Sequence, residues 1–390
     1  MAEKKSKVSK TEKVTQRVMD AIEAVKNKDF NMYFFVADSK NIPNGCMMYM
    51  YQLAKEFNDK GYKVTMLYQL ENEMTDEDVK QALEKNSFID ENRRFVGVGT
   101  WMGDAYASLP HMNIQKGDWK VGPSDFLFIP EAFASFMYEV FKNKIPCKRY
   151  VVVHSFTYIT DFIPIGQQWA TFGVDSFVAT NEKLADRITE IFPYTKQHAS
   201  VIPPYIPSNF RKPEKAKKLI VDIVAKKQGD ISLITKYFYW KYPEYQFVSF
   251  RDVRNVPMSE LSKTFQESCV TVWVDADTPF GYAAIESIRC GNILIGKIPN
   301  DIPEWMNDNN GLWFNNLYDV PDIIYKVIKA WMNDEIPENL LTATDEMQGK
   351  YTYAEFEKNV AAFAEKIIAD RVLELSTVCN QIKEDNKQEK

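Results

Sequence analysis

The chain is poor in the residues that build metal centres and disulfide frameworks. Its 390 residues include only three histidines and five cysteines. The cysteines lack CxxC spacing and are odd in number, which argues against a disulfide framework or a zinc motif and favours a reducing cytoplasm. The histidines lie too far apart in sequence to suggest a metal motif. These residues are Cys46, Cys147, Cys269, Cys290 and Cys379, and His111, His154 and His198.

An excess of positive charge and a long apolar run are also missing. The formal net charge is −6, which argues against broad binding to nucleic acid, since that needs a basic face. No apolar run reaches the ~18 residues that a membrane span needs. The first ten residues carry charges without an apolar stretch behind them, so we do not expect a secretory signal.

What is present is an alternation of short apolar strands and helices. Strand, helix and strand at this spacing form βαβ units, which predict parallel sheets with helices on both faces. In the first half the predicted strands are 31–37, 62–69, 125–130, 149–155 and 175–180, and in the second half 218–225, 245–251, 269–275 and 292–296. A chain of this length predicts two domains, here two successive α/β domains of Rossmann type.

A proline-rich stretch followed by charged residues divides the halves near residue 207. The first segment has an apolar stripe at Val14, Val18, Ile22 and Val25, which suits an accessory helix on its own domain or, less simply, a helix on a membrane or partner surface. The predicted divisions are 1–29 accessory helix, 30–207 N-terminal domain, 208–345 C-terminal domain, 346–378 helices returning to the N-terminal domain, and 379–390 polar tail.

The segment DTPFGYAAIESIRCGNILIG, residues 277–296, holds the candidate ligand site. It follows a predicted strand, and ligands of open parallel sheets bind beyond the carboxyl ends of strands. Asp277 or Thr278 is expected to cap the helix, and Gly281 to let a ligand approach free amides at the helix start. Glu286, about one turn deeper, suits a cis-diol such as ribose. Ordinary helix packing is the alternative explanation of the same pattern.

These motifs together resemble the glycosyltransferase group-1 pattern of the GT-B fold. The glycine, glutamate helix and apolar strand of that family are similar to PFGYAAIESIRCGNILIG. Its N-terminal strand, glycine loop and helix are similar to FFVADSKNIPNGCMMYMYQLAKEFNDKGYKVTMLY. Its interdomain stretch is similar to VIPPYIPSNF. KLIVDIVAKKQGD is similar to the strand and basic pair that open its C-terminal domain. The resemblance covers roughly residues 30 to 370, and it implies a C-terminal helix that crosses back to the N-terminal domain.

The resemblance implies a hexosyltransferase-type enzyme that uses a nucleotide-diphosphate sugar, without a tightly bound cofactor or a required metal, and that retains anomeric configuration. Phe280, Gly281, Tyr282 and Ala283 would bind phosphate and Glu286 the ribose. Lys227, with Lys226, would contact the diphosphate, although a solvated surface pair is the alternative for these lysines. Gly45 would give the donor room.

Several positions depart from the family pattern. Thr278 stands where the first glutamate of the family meets the donor sugar, with Asp277 beside it, and Cys46 replaces the second loop glycine. These changes leave three functions open: transfer to an unidentified glycan, lipid-linked or small-molecule acceptor, transfer to a modified DNA base by an enzyme of viral type, and a non-catalytic GT-B scaffold that binds nucleotide.

Other candidates lie at predicted strand ends and in loops. His154 ends a strand and is expected at the cleft, to orient the donor sugar or move a proton, unless it is a structural histidine. Glu131 and Asp161 are weaker acceptor-side candidates. Residues 97–103, GVGTWMG, suit a turn or acceptor-side loop, and the aromatic run 237–240 suits a sugar or base platform or core packing.

Overall fold

The protein forms two parallel sheets, each with helices on both faces. A computed structural model describes residues 10–116, 119–274 and 280–388. In the first sheet the strands are ordered β3-β2-β1-β4-β5-β6-β7, and in the second β12-β11-β10-β8-β9. Neighbouring strands are parallel throughout. The first sheet begins at a central strand and grows in both directions, which is the doubly wound arrangement predicted from the alternating elements.

The element bounds are as follows. The strands are β1 (Asn31–Phe35), β2 (Lys63–Tyr68), β3 (His111–Asn113), β4 (Phe126–Pro130), β5 (Lys148–Val153), β6 (Ser176–Ala179), β7 (Ala199–Val201), β8 (Lys218–Val224), β9 (Ser249–Asp252), β10 (Ser268–Trp273), β11 (Ile293–Lys297) and β12 (Leu312–Phe314). The helices are α1 (Lys10–Lys26), α2 (Gly45–Asp59), α3 (Asp76–Glu84), α4 (Gly99–Met102), α5 (Asp104–Ala107), α6 (Ala134–Lys142), α7 (Phe156–Phe162), α8 (Glu182–Ile191), α9 (Gln228–Lys241), α10 (Met258–Glu267), α11 (Tyr282–Arg289), α12 (Val320–Met332), α13 (Glu338–Gln348) and α14 (Tyr353–Gln388).

The strands predicted from apolar runs are present, and the sequence missed the short edge strands. β3, β7 and β12 have three residues each, too few for an apolar run to stand out. β9 begins four residues later than predicted, because Pro243–Tyr245 forms a 3-10 turn before it. The fully buried strands β4, β6 and β10 are the ones whose apolar runs were continuous.

The last helix returns to the N-terminal domain and packs against the first. Val18, Ala21 and Val25 of α1 share a buried cluster with Phe363 and Ile367 of α14. Val18, Ile22 and Val25 of the predicted stripe pack in this cluster, whereas Val14 is exposed. Helix α14 continues to Gln388 through the stretch predicted as a polar tail, and it buries Cys379. None of the helices in the described ranges is both long and apolar enough to cross a membrane.

The chain passes between the two domains twice, and the two passages touch. The backbone N–H of Ile206 donates to the carbonyl of Tyr351 at 2.9 Å. Arg289, at the end of α11, donates to the Ile206 carbonyl at 3.1 Å and to the Gln348 side chain at 3.4 Å. Arg289 of α11 thus forms hydrogen bonds to both passages, and these bonds tie the second domain to the connection between the domains.

Helix α11 starts later than the sequence predicted. It begins at Tyr282, with Gly281 as the cap residue at φ 71° and ψ 53°, whereas the predicted caps Asp277 and Thr278 lie outside the described residues. A Cβ at Gly281 would lie 3.1 Å from Cζ2 of Trp273 and 3.2 Å from Cζ2 of Trp305. Glycine is required here both by the left-handed backbone and by the two indoles packed on it.

We expect Gly281→Ala to destabilise the protein more than Gly61→Ala does. Both glycines have positive φ, but a Cβ at Gly61 would meet no atom within 4 Å. Gly61→Ala should therefore cost only the left-handed conformation, about 1–2 kcal/mol, whereas Gly281→Ala should add about 1–3 kcal/mol from overpacking against the indoles. Denaturant unfolding of both variants measures the difference, and equal losses would contradict this explanation of Gly281.

Candidate functional site

A cavity of about 550 Å³ lies between the carboxyl ends of the two sheets. We call it the cleft cavity. Its lining includes residues 42–46 of the first domain and residues 224–226 of the second. Its size falls in the range of small-molecule sites. Because strands of both sheets end at its walls, the cavity occupies the position where open α/β sheets bind ligands.

The wall from the second domain brings cationic groups to a helix start. Lys226 follows β8, and Arg254 follows β9. Gly281, Tyr282 and Ala283 place the first turn of α11 in the same wall. Helix N-termini carry free amides and partial positive charge. The combination favours an anionic ligand at this end of the cavity.

The wall from the first domain is built around the start of α2 and the end of β5. Asn44 caps α2 by accepting from the amides of Cys46 and Met47 at 3.0 and 3.2 Å. His154 comes directly after β5, and Thr180 directly after β6. Trp101, from α4, closes the cavity at the side where Met258 of the second domain also lies.

Four lining residues carry a buried polar atom that has no hydrogen-bond partner among the described residues. They are Trp101 Nε1, His154 Nε2, Thr180 Oγ1 and the Tyr282 hydroxyl. Unsatisfied buried polar atoms are uncommon in folded proteins, because each costs the hydrogen bonds it would make to water. Their occurrence around one cavity favours a ligand rich in hydroxyl or phosphate groups.

Glu286 lies in the cavity wall with 3% of its surface exposed. Burial raises the pKa of its carboxyl to about 8, against a smaller opposing effect of Arg289. Burial therefore favours the neutral acid at pH 7. A ligand that donates hydrogen bonds to the carboxylate would lower this pKa.

His154 is held by two neighbours at the same ring nitrogen. Its Nδ1 lies 3.0 Å from Oε2 of Glu131 and 3.3 Å from Sγ of Cys46. Burial disfavours the imidazolium, yet the pKa of His154 is raised, because Cys46 and Glu131 favour its positive charge when they are ionised. Burial also raises the pKa of the Cys46 thiol, so the thiol keeps its proton and Glu131 supplies the compensating charge.

The predicted site residues divide into those the cavity gathers and those it does not. Gathered in its wall are Gly45, His154, Lys226, Phe280, Gly281, Tyr282, Ala283 and Glu286. Lys227 is not in the described lining; it is the residue before the first turn of α9. Asp277 and Thr278 lie outside the described residues.

The space beside Gly45 belongs to Tyr282. A Cβ at Gly45 would lie 3.1 Å from Cδ2 of the Tyr282 ring. The glycine therefore gives room to a side chain of the other domain in this structure, rather than to empty space for a donor. Any ligand that occupies this part of the cavity must share it with the ring.

Three weaker candidates are corrected by their surroundings. Glu131 is fully buried, and its Oε1 accepts from the amides of His154 and Ser155 at 2.9 Å each, so it positions the histidine and cannot receive an acceptor from solvent. Asp161 is exposed on α7, outside the described lining. The aromatic run 237–240 is also outside it, with Phe238 in the core and Trp240 exposed.

Sequence reasoning missed Arg254, Trp101 and Thr180. Arg254 is separated by one residue from Asp252, to which its Nε donates at 2.8 Å, and it follows a strand whose bounds were misjudged. Trp101 lies within the 97–103 loop that was considered only for its glycines. Thr180 was the last residue of a predicted strand, a position that the strand-end rule could have singled out.

Comparisons with solved structures support the fold, whereas comparisons of the sequence find no match. No family model matches the chain, and no curated protein matches it. Among solved structures, a pneumococcal O-GlcNAc transferase, GtfA, bound to UDP and GlcNAc is similar with a TM-score of 0.60 and 11% identity, covering 87% of this chain and 99% of that one.

Two further structures agree. Sucrose-phosphate synthase from Thermosynechococcus elongatus has a TM-score of 0.58 and 11% identity, covering 87% of this chain and all of that one. Anabaena HepE in complex with UDP-glucose has a TM-score of 0.54 and 11% identity, covering 86% and 99%. The chain therefore has the GT-B fold of these glycosyltransferases, as the sequence predicted.

Proposed function

We propose that this protein is a glycosyltransferase, of hexosyltransferase type, that moves a sugar from a nucleotide-diphosphate sugar to an acceptor. The observation that carries the proposal is the cleft cavity, which places cations, a helix start and a buried carboxyl between two Rossmann-like domains. The structures of GtfA and HepE, similar in fold, contain UDP or UDP-glucose. Five free thiols fit a reducing compartment, and we place the reaction in the cytoplasm.

The diphosphate belongs at the start of α11 in this proposal. The amides of Tyr282 and Ala283 supply hydrogen bonds, and the side chains of Lys226 and Arg254 supply positive charge. The same groups would stabilise the charge that develops on the departing nucleoside diphosphate. Lys227, at the neighbouring position, is left out of the donor site because it lies outside the described lining.

Glu286 is proposed to bind the ribose. Glu286 lies in the same cavity wall as the start of α11, about one helical turn further along the helix. A carboxylate accepts two hydrogen bonds from a cis-diol, so ribose binding requires the group to give up the proton that burial favours. Nucleotide binding should therefore release a proton at pH 7.

The first domain is proposed to hold the sugar and the acceptor. His154, Thr180 and Trp101 contribute polar atoms whose partners would be sugar hydroxyls. Catalysis then rests on position and on charge stabilisation. Retention of configuration is the expectation that the family resemblance brings, with the leaving phosphate taking the acceptor proton.

Titration with UDP, GDP, ADP and TDP by calorimetry, without added metal, tests the donor site. We expect one nucleotide to bind. Glu286→Ala and Lys226→Ala should each weaken that binding by about tenfold or more, because the first removes two hydrogen bonds to the ribose and the second removes a positive charge near the diphosphate. Lys227→Ala is the matched control and should leave binding within about twofold.

Failure of every nucleotide to bind the folded protein would count against the whole proposal. Equal losses in Lys226→Ala and Lys227→Ala would contradict the placement of the diphosphate. Binding without any transfer would favour a non-catalytic scaffold, and nucleotide release stimulated by DNA and weakened by salt would favour a modified DNA base as the acceptor.

The raised pKa of Glu286 implies that the free energy of unfolding depends on pH. The folded protein holds a proton on this group that the unfolded chain loses above about pH 4.5, so the group's contribution to stability falls as pH rises toward 8. Glu286→Gln removes this loss. The variant should gain stability relative to the wild type between pH 5 and pH 8, by on the order of a few kcal/mol, and the gain should level off above that.

Denaturant unfolding across this pH range, without nucleotide, measures the effect. Glu346→Gln changes an exposed glutamate on α13 and serves as the control, with a difference from wild type that stays constant with pH. A constant difference for Glu286→Gln as well would show that Glu286 is already ionised in the folded protein without nucleotide.

A further inference from the structure

Three side chains that bind transition metals meet in the wall of the cleft cavity. They are Cys46, Glu131 and His154, and their Sγ, carboxylate and imidazole atoms all lie within 4.8 Å of one another. The residues come from the start of α2, the end of β4 and the end of β5. The fold thus brings together three residues whose spacing in the sequence does not suggest a metal site.

The contacts within this cluster differ from those of a catalytic relay. In a relay, an acid and a nucleophile hold opposite nitrogens of one imidazole. Here Oε2 of Glu131 and Sγ of Cys46 both contact Nδ1 of His154, at 3.0 and 3.3 Å. One proton at Nδ1 must serve two neighbours, whereas a metal ion at the same place would bond to all three.

The carboxylate is already oriented for such a role. Glu131 is fully buried, and its other oxygen accepts from the amides of His154 and Ser155 at 2.9 Å each. Hydrogen bonds of this kind fix the direction of a ligating carboxylate and are typical of the surroundings of metal ligands. Asn44 similarly fixes the start of α2, which carries Cys46.

We propose that Cys46, Glu131 and His154 form a binding site for Zn²⁺. Zinc bonds of about 2.0–2.3 Å to nitrogen, oxygen and sulfur place tetrahedral ligand atoms about 3.3–3.7 Å apart. The two contacts at Nδ1 are shorter than this by only a few tenths of an ångström, and all three ligand atoms lie within 4.8 Å of one another, so side-chain adjustment is needed to reach tetrahedral spacing. A thiolate and an imidazole select zinc over Mg²⁺ or Ca²⁺, which prefer oxygen ligands.

Charge and protons balance in this exchange. Zinc takes the place of the proton at Nδ1 and of the thiol proton, both of which pass to solvent. The two positive charges of the ion are then matched by the Cys46 thiolate and the Glu131 carboxylate. Cys46 and His154 line the cleft cavity, so the fourth position is open to it, and a water molecule or an oxygen of a bound ligand completes the tetrahedron.

The site is separate from the proposed diphosphate position. Its ligands all belong to the first domain, whereas Lys226, Arg254 and the start of α11 belong to the second. The inference therefore stands without the proposed transfer. Its test reads metal binding directly and needs neither nucleotide nor turnover.

Titration of the chelator-treated full chain with Co²⁺, a spectroscopic substitute for zinc, tests the proposal. We expect one equivalent to bind, with a thiolate-to-cobalt charge-transfer band in the near ultraviolet and the intense visible bands of a tetrahedral site. Zinc should displace the cobalt, while excess Mg²⁺ should not. Cys46→Ser should abolish the charge-transfer band and weaken zinc binding by at least about 100-fold.

Cys379→Ser is the matched control, because this buried thiol lies on α14, away from the cluster, and it should keep the band. Circular dichroism of both variants verifies that they are folded, and Cys46→Ala provides a second removal of the thiol. Absence of the band in the folded wild type, or a band that persists without the Cys46 thiol, would overturn the proposal. Nucleotide binding measured in the same samples reports on the donor site independently.

Discussion

The cleft cavity lies between two domains that the chain joins by two passages in contact with each other. The hydrogen bond from Ile206 to Tyr351 joins the two passages, and Arg289 binds the Ile206 carbonyl from the end of α11. The other end of α11 lies in the cavity wall. One short helix thus connects the junction of the domains to the proposed ligand site.

Close packing at the cavity explains residues that motif reading assigns to ligands. Gly281 is held between Trp273 and Trp305 in a left-handed conformation, and Gly45 gives room to the Tyr282 ring. Packing therefore accounts for both glycines without a ligand. Packing leaves unexplained the buried Glu286 carboxyl and the polar atoms of Trp101, His154 and Thr180 that have no hydrogen-bond partner in the part of the chain that the structure describes. These groups carry the functional argument.

Much of the fold could be read from the sequence, because apolar runs separated by amphipathic helices determine a parallel sheet almost by themselves. The C-terminal sheet edge and the three-residue strands could not, since β12 has too few residues to show a period. The start of α11 was misplaced because Asp277 and Thr278 have good capping side chains, while the actual cap is set by the tertiary contacts of Gly281.

The site was recovered unevenly for a similar reason. Positions that follow a strand end, such as His154 and Lys226, are readable because the strand-end rule places them. Arg254 enters the cavity from a loop and Trp101 from the short helix α4, and the position of both depends on contacts distant in sequence. The Cys46–Glu131–His154 cluster joins three segments of the chain, and no spacing rule detects such a meeting.

A crystal structure of the protein with the nucleoside diphosphate that binds it tests the donor site most directly. We expect the β-phosphate at the amides of Tyr282 and Ala283, near Lys226 and Arg254, with both ribose hydroxyls on the Glu286 carboxylate. A nucleotide bound with its ribose away from Glu286, or bound outside the cleft cavity, would contradict the proposed donor site.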